Sequence, residues 1–254
     1  MLRRALLPSL LRVAQRNLRF LDRVAVFEIG RIYLPVDGEV LPDEPRRLGI
    51  VMTGPREERA WTKHQDRTLV DFFELKGVVE TLLSRLGLDG TFEPGENDAF
   101  HPGRCARVSA GGREIGYVGE LHPLVRDAFG LPEQPVCALA FDLDGLLVDW
   151  GASRQMTPLS THPPVYEDLA VVVDGEVPAG RVRALIERAG MPLLRSVVLF
   201  DVYRGAQIGA GKKSLAYRLT YQAEDKTLTD EEVAEVRASI VEQLQRELGA
   251  NLRG

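Results

Sequence analysis

Leu7, Leu10, Leu11, Ala14 and Leu18 recur at the spacing of one helical face, predicting an amphipathic helix that tolerates Pro8 in its first turn. From Val24 to Leu34 the pattern becomes that of a strand. A polar stretch follows, then a second short strand at Leu48–Thr53. Asp71, with Glu74 three residues on, resembles a cap for a helix with Phe72, Leu75, Val79, Leu82, Leu83 and Leu86 on its apolar face, ended by Gly87. Strands are predicted at Ala106–Ser109, Arg113–Gly119 and Val136–Asp142, with a short helix over Pro123–Phe129. Gly151 to Pro164 is rich in Ser, Thr, Pro and Gly, and we read residues 151–160 as a linker between domains at 1–150 and 161–254.

The second domain has a simpler pattern. Leu169–Val173 predicts a strand, and Val182, Leu185, Ile186 and Ala189 mark a helix. Val197–Tyr203 and Lys213–Gln222 predict strands joined through Gly205, Gly209 and Gly211. Thr229 and Glu232 form a capping box for a helix bearing Val233, Val236, Ile240 and Leu244, and Asn251, Leu252 and Arg253 supply a last edge strand. The order β-α-β-β-α-β is the split βαβ, or ferredoxin-like, arrangement. The fold expected for the whole chain is therefore α+β, an antiparallel sheet module followed by a ferredoxin-like domain.

Composition narrows the class. The chain has 254 residues, 44% of them hydrophobic and 27% charged, which argues against disorder and coiled coil. No apolar run approaches the roughly 18–20 residues needed to span a bilayer. The opening residues are too broken by Pro8, Ser9 and Arg12 to read as a signal peptide. Two cysteines exclude a disulfide framework, and four scattered histidines make no zinc pattern. A cytoplasmic protein with no membrane or DNA partner is expected. Its net charge is −5, and both halves are mildly acidic, unlike a non-specific nucleic-acid coat protein. Locally the balance differs: Arg204, Lys212, Lys213 and Arg218 lie in a stretch with no acidic residue.

Alternation along the strands of the second domain assigns side chains to faces. Leu169, Val171 and Val173 share one face of the first strand. Val198, Phe200 and Val202 form the apolar set of the second, and Leu215, Tyr217, Leu219 and Tyr221 that of the third. Both helices of this arrangement cover one face, so the open face should carry Ala170, Asp201, Tyr203, Ser214 and Arg218. An aromatic ring, an acceptor, a hydroxyl and a cation around a small residue suit a splayed RNA base. They also suit an ordinary solvated sheet face.

Sharper motifs fail. The run from Gly205 to Ser214 looks like a phosphate-binding loop, but has Ala206 where glycine is required and Lys213 where magnesium needs Ser or Thr. His101, His122 and His162 each precede proline, which favours loop structure over metal binding. Cys105, on a predicted strand, reads as a buried small hydrophobe. Glu28, Glu120, Asp142 and Asp144 offer carboxylates whose spacing assigns no acid–base role.

The segments VFEIGRIY, FFELKGVVETLLSRLG, HPGR, IGYVGELHPLV, LFDVYRG, GKKSLAYRLTYQ and TLTDEEV occur in the order seen in bacterial phenylalanyl-tRNA synthetase beta subunits. The resemblance runs from Leu2 to Arg253. It implies that residues 1–150 form an inactive module similar to class II synthetase cores, which meets the alpha subunit. The remainder resembles the ferredoxin-fold anticodon-binding domain. It further implies that Ala170, Asp201, Tyr203 and Ser214 surround the first anticodon base of the phenylalanine tRNA; the basic residues Arg204, Lys212, Lys213 and Arg218 are then candidate phosphate contacts. FEIGRIY looks like a degenerate second class II motif. Glu120, Leu121 and His122 stand where an ATP-binding arginine motif would be expected, so no catalytic residue is assigned.

On this resemblance the chain lacks its own metal and cofactor, ATP and magnesium being used by a complete enzyme of two alpha and two beta subunits. The chain is much shorter than a whole beta subunit and is expected to be a fragment, without the upstream tRNA-binding, editing and DNA-binding-like modules. The amphipathic stripes at Leu7–Leu18 and Phe72–Leu86 are candidates for the alpha interface or for the internal core. Two other readings are a free-standing regulatory protein sensing an amino acid and a purely architectural subunit segment.

Overall fold

The computed structural model describes residues 2–61, 65–148 and 160–253. Contacts divide the chain into two compact units, residues 1–155 and 156–254. Apart from Ser160, the linker expected over 151–160 lies outside the described residues.

The first unit is built on an antiparallel sheet of six strands in the order β1-β2-β6-β5-β4-β3. These are β1 (Val24–Arg31), β2 (Arg46–Thr53), β3 (Gly90–Pro94), β4 (Phe100–Ala110), β5 (Arg113–Leu121) and β6 (Val136–Asp142). Both sheet faces are packed, as the central strand β6 shows. Cys137, Leu139 and Phe141 point toward α2 (Phe72–Leu86) and α4 (Leu143–Leu147), whereas Val136 and Ala138 point toward α1 (Leu7–Asn17). The short helix α3 (Pro123–Ala128) follows β5.

Helix α1 starts with a proline in its first turn and buries Leu7, Leu10, Leu11 and Ala14. Its stripe is thus consumed by the internal core. It approaches so closely that a Cβ on Gly49 would lie 2.6 Å from a methyl carbon of Leu10. Helix α2 is capped as its sequence predicts: Asp71 accepts from the amides of Phe73 (2.8 Å) and Glu74 (3.2 Å), and Gly87 closes it in the left-handed conformation. The pattern gave no notice of β3 or α4. The segment GTFEP lacks alternation and pairs only as an edge strand on β4.

The second unit runs β7 (Val165–Asp174), α5 (Ala179–Gly190), β8 (Leu194–Tyr203), β9 (Lys212–Tyr221), α6 (Asp230–Leu248) and β10 (Asn251–Leu252). The sheet order is β10-β7-β9-β8, all antiparallel, which is the ferredoxin-like arrangement. Both helices cover one face, against Leu169, Val171, Val173, Val197, Leu215, Tyr217, Leu219 and Tyr221. The capping box of α6 is complete, Thr229 accepting from the Glu232 amide (3.3 Å) and Glu232 from the Thr229 amide (3.1 Å).

Strand β8 departs from simple alternation. Its register against β9 shifts between Leu194 and Ser196 and again between Leu199 and Asp201. Each bulge adds a residue that faces the same way as its neighbour. Leu199 and Val202 therefore pair with Tyr217 and Leu215 on the helix-covered face, while Val198 pairs with Arg218 on the open one. Phe200 is 52% exposed, with the Arg218 guanidinium above its ring. Of the inward set expected at Val198, Phe200 and Val202, only Val202 keeps its place, and the expectation for Val198 and Phe200 is corrected.

Cys105 and Cys137 are free and buried. Burial pushes both thiols up, that of Cys137 to about 12. A thiol reagent at pH 8 should therefore leave both cysteines unmodified in the native chain and modify them on unfolding, as peptide mapping along a urea titration would show. Rapid native labelling of Cys137 would contradict the packing described here.

Candidate nucleic-acid interface

Cross-strand pairing stacks the open face of the second unit into rows. Val172, Ser214 and Tyr203 form one row, and Ala170, Ala216 and Asp201 form the next. Below them come Asp168, Arg218 and Val198, then Tyr166, Thr220 and Ser196. The four residues that sequence predicts around a base, Ala170, Asp201, Tyr203 and Ser214, thus fall in two adjacent rows. Ala216, between Ala170 and Asp201, completes a shallow floor.

Tyr203 is set by its surroundings. A Cβ on Gly205 would lie 2.7 Å from Tyr203 Cζ, so only glycine lets the ring lie back over this position. On the ring sits the guanidinium of Arg253, 4.6 Å from its centroid. Arg253 is anchored through its own amide, which donates to the Ala170 carbonyl at 2.9 Å. Ser214, opposite Tyr203, is only 3% exposed. The Asp201 carboxylate is exposed and, among the described residues, has no hydrogen-bond or ion-pair partner. A ring, a carboxylate that only accepts, a hydroxyl and a two-alanine floor can stack a purine and accept from N–H groups on its edge.

The four candidate phosphate contacts separate into two groups. Arg204 and Lys212 are exposed. Lys213 is not on this face: it pairs with Val173 on the helix-covered side and donates to the Gly175 carbonyl at 2.9 Å. Burial, and secondarily the nearby Arg204 charge, lowers its pKa. Alternation along β9 already places Lys213 opposite to Ser214, a signal the charge run obscures. Arg218 is on the open face, but is bonded twice to Asp168 (2.9 and 3.0 Å). Its hydrogen bonds and charge hold the Asp168 carboxyl below the usual aspartate range.

Among the described residues, the first unit offers no comparable constellation. Its conspicuous carboxylates are engaged by arginines: Glu28 with Arg3, Glu120 with Arg104, Asp142 with Arg47 and Asp144 with Arg46. His122 caps α3, its Nδ1 accepting from the Leu124 amide at 3.1 Å. An open cleft of about 340 Å³, lined by Leu6, Ile32, Ile115 and Phe141 among others, carries the Arg47–Asp142 pair at its polar end. Among the described residues no group of three or more His, Cys, Asp or Glu side chains could hold a metal ion, and no helix is long and apolar enough to cross a membrane.

Sequence reasoning missed Arg253 and Phe200 as members of the open face. The bulge that exposes Phe200 leaves no mark in the hydrophobic pattern, and Arg253 lies just past a two-residue edge strand.

Comparison with known proteins adds an independent line. Residues 1–143 match the family described as phenylalanyl tRNA synthetase beta chain CLM domain, and residues 160–253 the ferredoxin-fold anticodon binding domain. The chain is 44% identical to the phenylalanine–tRNA ligase beta subunit of Symbiobacterium thermophilum, an alignment covering 99% of this chain and 28% of that protein. The beta subunit of Moorella thermoacetica is also 44% identical, over 99% of this chain and 31% of its own length. That of Geobacillus kaustophilus is 40% identical, over 100% and 31%. The chain thus spans under a third of the length of these curated relatives.

The Asp168–Arg218 pair gives a direct check of the face. With its pKa depressed in the folded state, Asp168 stabilises the fold above the unfolded value of ~3.9, and this contribution is lost as pH falls through the lower folded value. Carboxyl-resolved NMR should find Asp168 titrating below ~3.9, and Arg218→Met should return it toward that value. An Asp168 unaffected by the substitution would show that the pair does not persist in solution.

Proposed function

The chain belongs to the phenylalanyl-tRNA synthetase beta chain family, and from that membership we propose that it supplies the alpha-docking and anticodon-binding part of a phenylalanine–tRNA ligase. In this reading residues 1–150 hold the alpha subunit, and the second unit binds the anticodon of the phenylalanine tRNA. The alpha subunit performs the ATP-dependent chemistry, in a cytoplasmic assembly of two alpha and two beta subunits. ATP and magnesium belong to the complete enzyme. The observation that carries the reading is the recess of Ala170 and Ala216 between Asp201, Tyr203 and Ser214 on an otherwise uncovered sheet face. The beta-subunit relatives support this over an amino-acid sensor or a purely architectural segment.

The docking surface proposed for the alpha subunit changes with the structure. The stripe of α1 is buried internally, as are Leu75, Val79 and Leu83 of α2. Among the large apolar side chains that stay exposed are Phe27 and Ile29 on edge strand β1, and Phe73 on α2, at 71%, 56% and 71%. Large apolar side chains left in water favour a partner surface.

Two tests follow. Tyr203→Ala should weaken binding of the anticodon stem-loop by about 1–3 kcal/mol through loss of a stacking platform. Ser214→Ala should cost about 0.5–1.5 kcal/mol, one neutral hydrogen bond. Asp201→Ala should act selectively, lowering affinity for guanine at the first anticodon position. Lys212→Ala should flatten the salt dependence of binding, and Lys213→Ala should leave it unchanged. Fluorescence titration at several salt concentrations measures all of these, and silent Tyr203 and Asp201 variants that remain folded would overturn the anticodon reading.

The second test concerns docking and activity. The purified chain should show no phenylalanine-dependent pyrophosphate exchange and should be retained by the cognate alpha subunit. The double substitution Phe27→Asp, Ile29→Asp should reduce that retention while leaving the stem-loop affinity intact. Exchange activity in the isolated chain, or unchanged capture of the double variant, would count against the respective part of the assignment.

A further inference from the structure

We propose that the open face holds a second base-stacking site, centred on Phe200, which takes the base adjacent in the RNA strand to the one seated at Tyr203. This rests on the anticodon reading above and extends it from one nucleotide to two.

The site exists because of the second bulge in β8. Without it, strict alternation from Tyr203 would turn Phe200 toward the helices. The shift between Leu199 and Asp201 instead leaves the ring on the open face, 52% exposed. Phe200 lies three residues from Tyr203, about 10 Å along the strand at 3.3 Å per residue. Between the two rings runs the floor of Ala170 and Ala216.

The ring is also oriented. The Arg218 guanidinium lies 5.3 Å from the Phe200 centroid. Its Nε and one terminal nitrogen are fixed by Asp168 at 2.9 and 3.0 Å, so the cation is held in place and not left to sweep solvent. Its other terminal nitrogen has no partner among the described residues and is free to donate to an acceptor on a base edge. Around this pair, Val198 is 53% and Tyr166 64% exposed.

The occupant is argued from this chemistry. A held guanidinium beside an aromatic ring recognises a flat, electron-rich group with acceptors on its edge, which a nucleobase supplies and an aliphatic protein surface does not. The patch is continuous with the Tyr203 recess on the same uncovered face. Aromatic residues on the face of a four-stranded antiparallel sheet are a recurrent way to stack two or three successive bases.

The test uses the full chain with the anticodon stem-loop, with that RNA lacking the base 5′ or 3′ of the one read by Asp201, and with RNA lacking that base itself. Phe200→Leu keeps an apolar side chain under Arg218 but removes the ring, and should weaken binding of the intact loop by about 5- to 150-fold. Phe200→Tyr should retain affinity. On RNA lacking one of the two neighbouring bases the Phe200→Leu penalty should vanish, while Tyr203→Ala still weakens binding. On RNA lacking the base read by Asp201 the pattern should reverse.

If Phe200→Leu binds every RNA as the unsubstituted chain does while Tyr203→Ala remains defective, the second site is wrong and the anticodon reading stands. The exposed ring would then face a protein partner. If Tyr203→Ala and Asp201→Ala are silent as well, the anticodon reading itself fails. A Phe200→Leu penalty identical on intact and base-deleted RNA overturns the stacking role directly.

Discussion

The register of β9 is the constraint on which the open face depends. Leu215, Tyr217, Leu219 and Tyr221 are all within 1% of complete burial beneath the two helices, and Tyr217 is pinned by donating to the Ala179 carbonyl at 2.9 Å. A slip of one residue would put all four into water and bring Ser214, Ala216 and Arg218 into the core. Burial of each large side chain is worth about 1.5–3 kcal/mol, so the slipped register is excluded by far more than any contact on the open face could repay. The candidate site residues are thus positioned by packing on the opposite side of the sheet. That division lets the open face remain polar, shallow and uncovered without loss of order.

Strand β8 obeys the same rule with two exceptions, and these give the face its character. A β-bulge costs a ladder hydrogen bond and gains a change of direction. Here the gain is that Phe200 and Asp201 join Tyr203 on one side while Leu199 and Val202 remain against the helix side. Three chemically different groups come from four consecutive positions, which regular alternation cannot deliver. The Gly205 position continues this economy of space, because the turn after β8 has no side chain where the Tyr203 ring lies.

Much of this was legible in the chain and some of it was not, for definable reasons. Helix α2, the capping box at Thr229 and Glu232, and the βαββαβ order carry local signals of period and cap, and each appears in the structure. Alternation puts Asp201 and Tyr203 on the open face, yet turns Phe200 inward, where the structure leaves it 52% exposed. A bulge leaves the local hydrophobic pattern intact and alters only the pairing, so a single sequence does not reveal it. The ambiguity of α1 was of another kind: an amphipathic stripe shows that one face is buried but not by what, and here the sheet buries it. Lys213 shows that a run of like charges is a poor guide to a surface, since neighbours on a strand point to opposite sides.

If the open face binds RNA as proposed, a chain that is mildly acidic must limit what electrostatics contributes. On the open face Asp168 is neutralised by Arg218, which leaves Arg204, Lys212 and Arg253 against Asp174 and the Asp201 carboxylate. Counterion release scales with the number of phosphates neutralised, about 0.7 in the salt exponent for each on single-stranded RNA, and so few free cations yield a shallow dependence. Affinity must then come mainly from stacking and edge hydrogen bonds, which depend on a base presented out of its stack. A duplex presents no such base, and neither does an RNA loop whose bases are stacked away. The same shortage of charge that weakens general attraction to RNA therefore confines binding to a loop with splayed bases, the form in which an anticodon can be read.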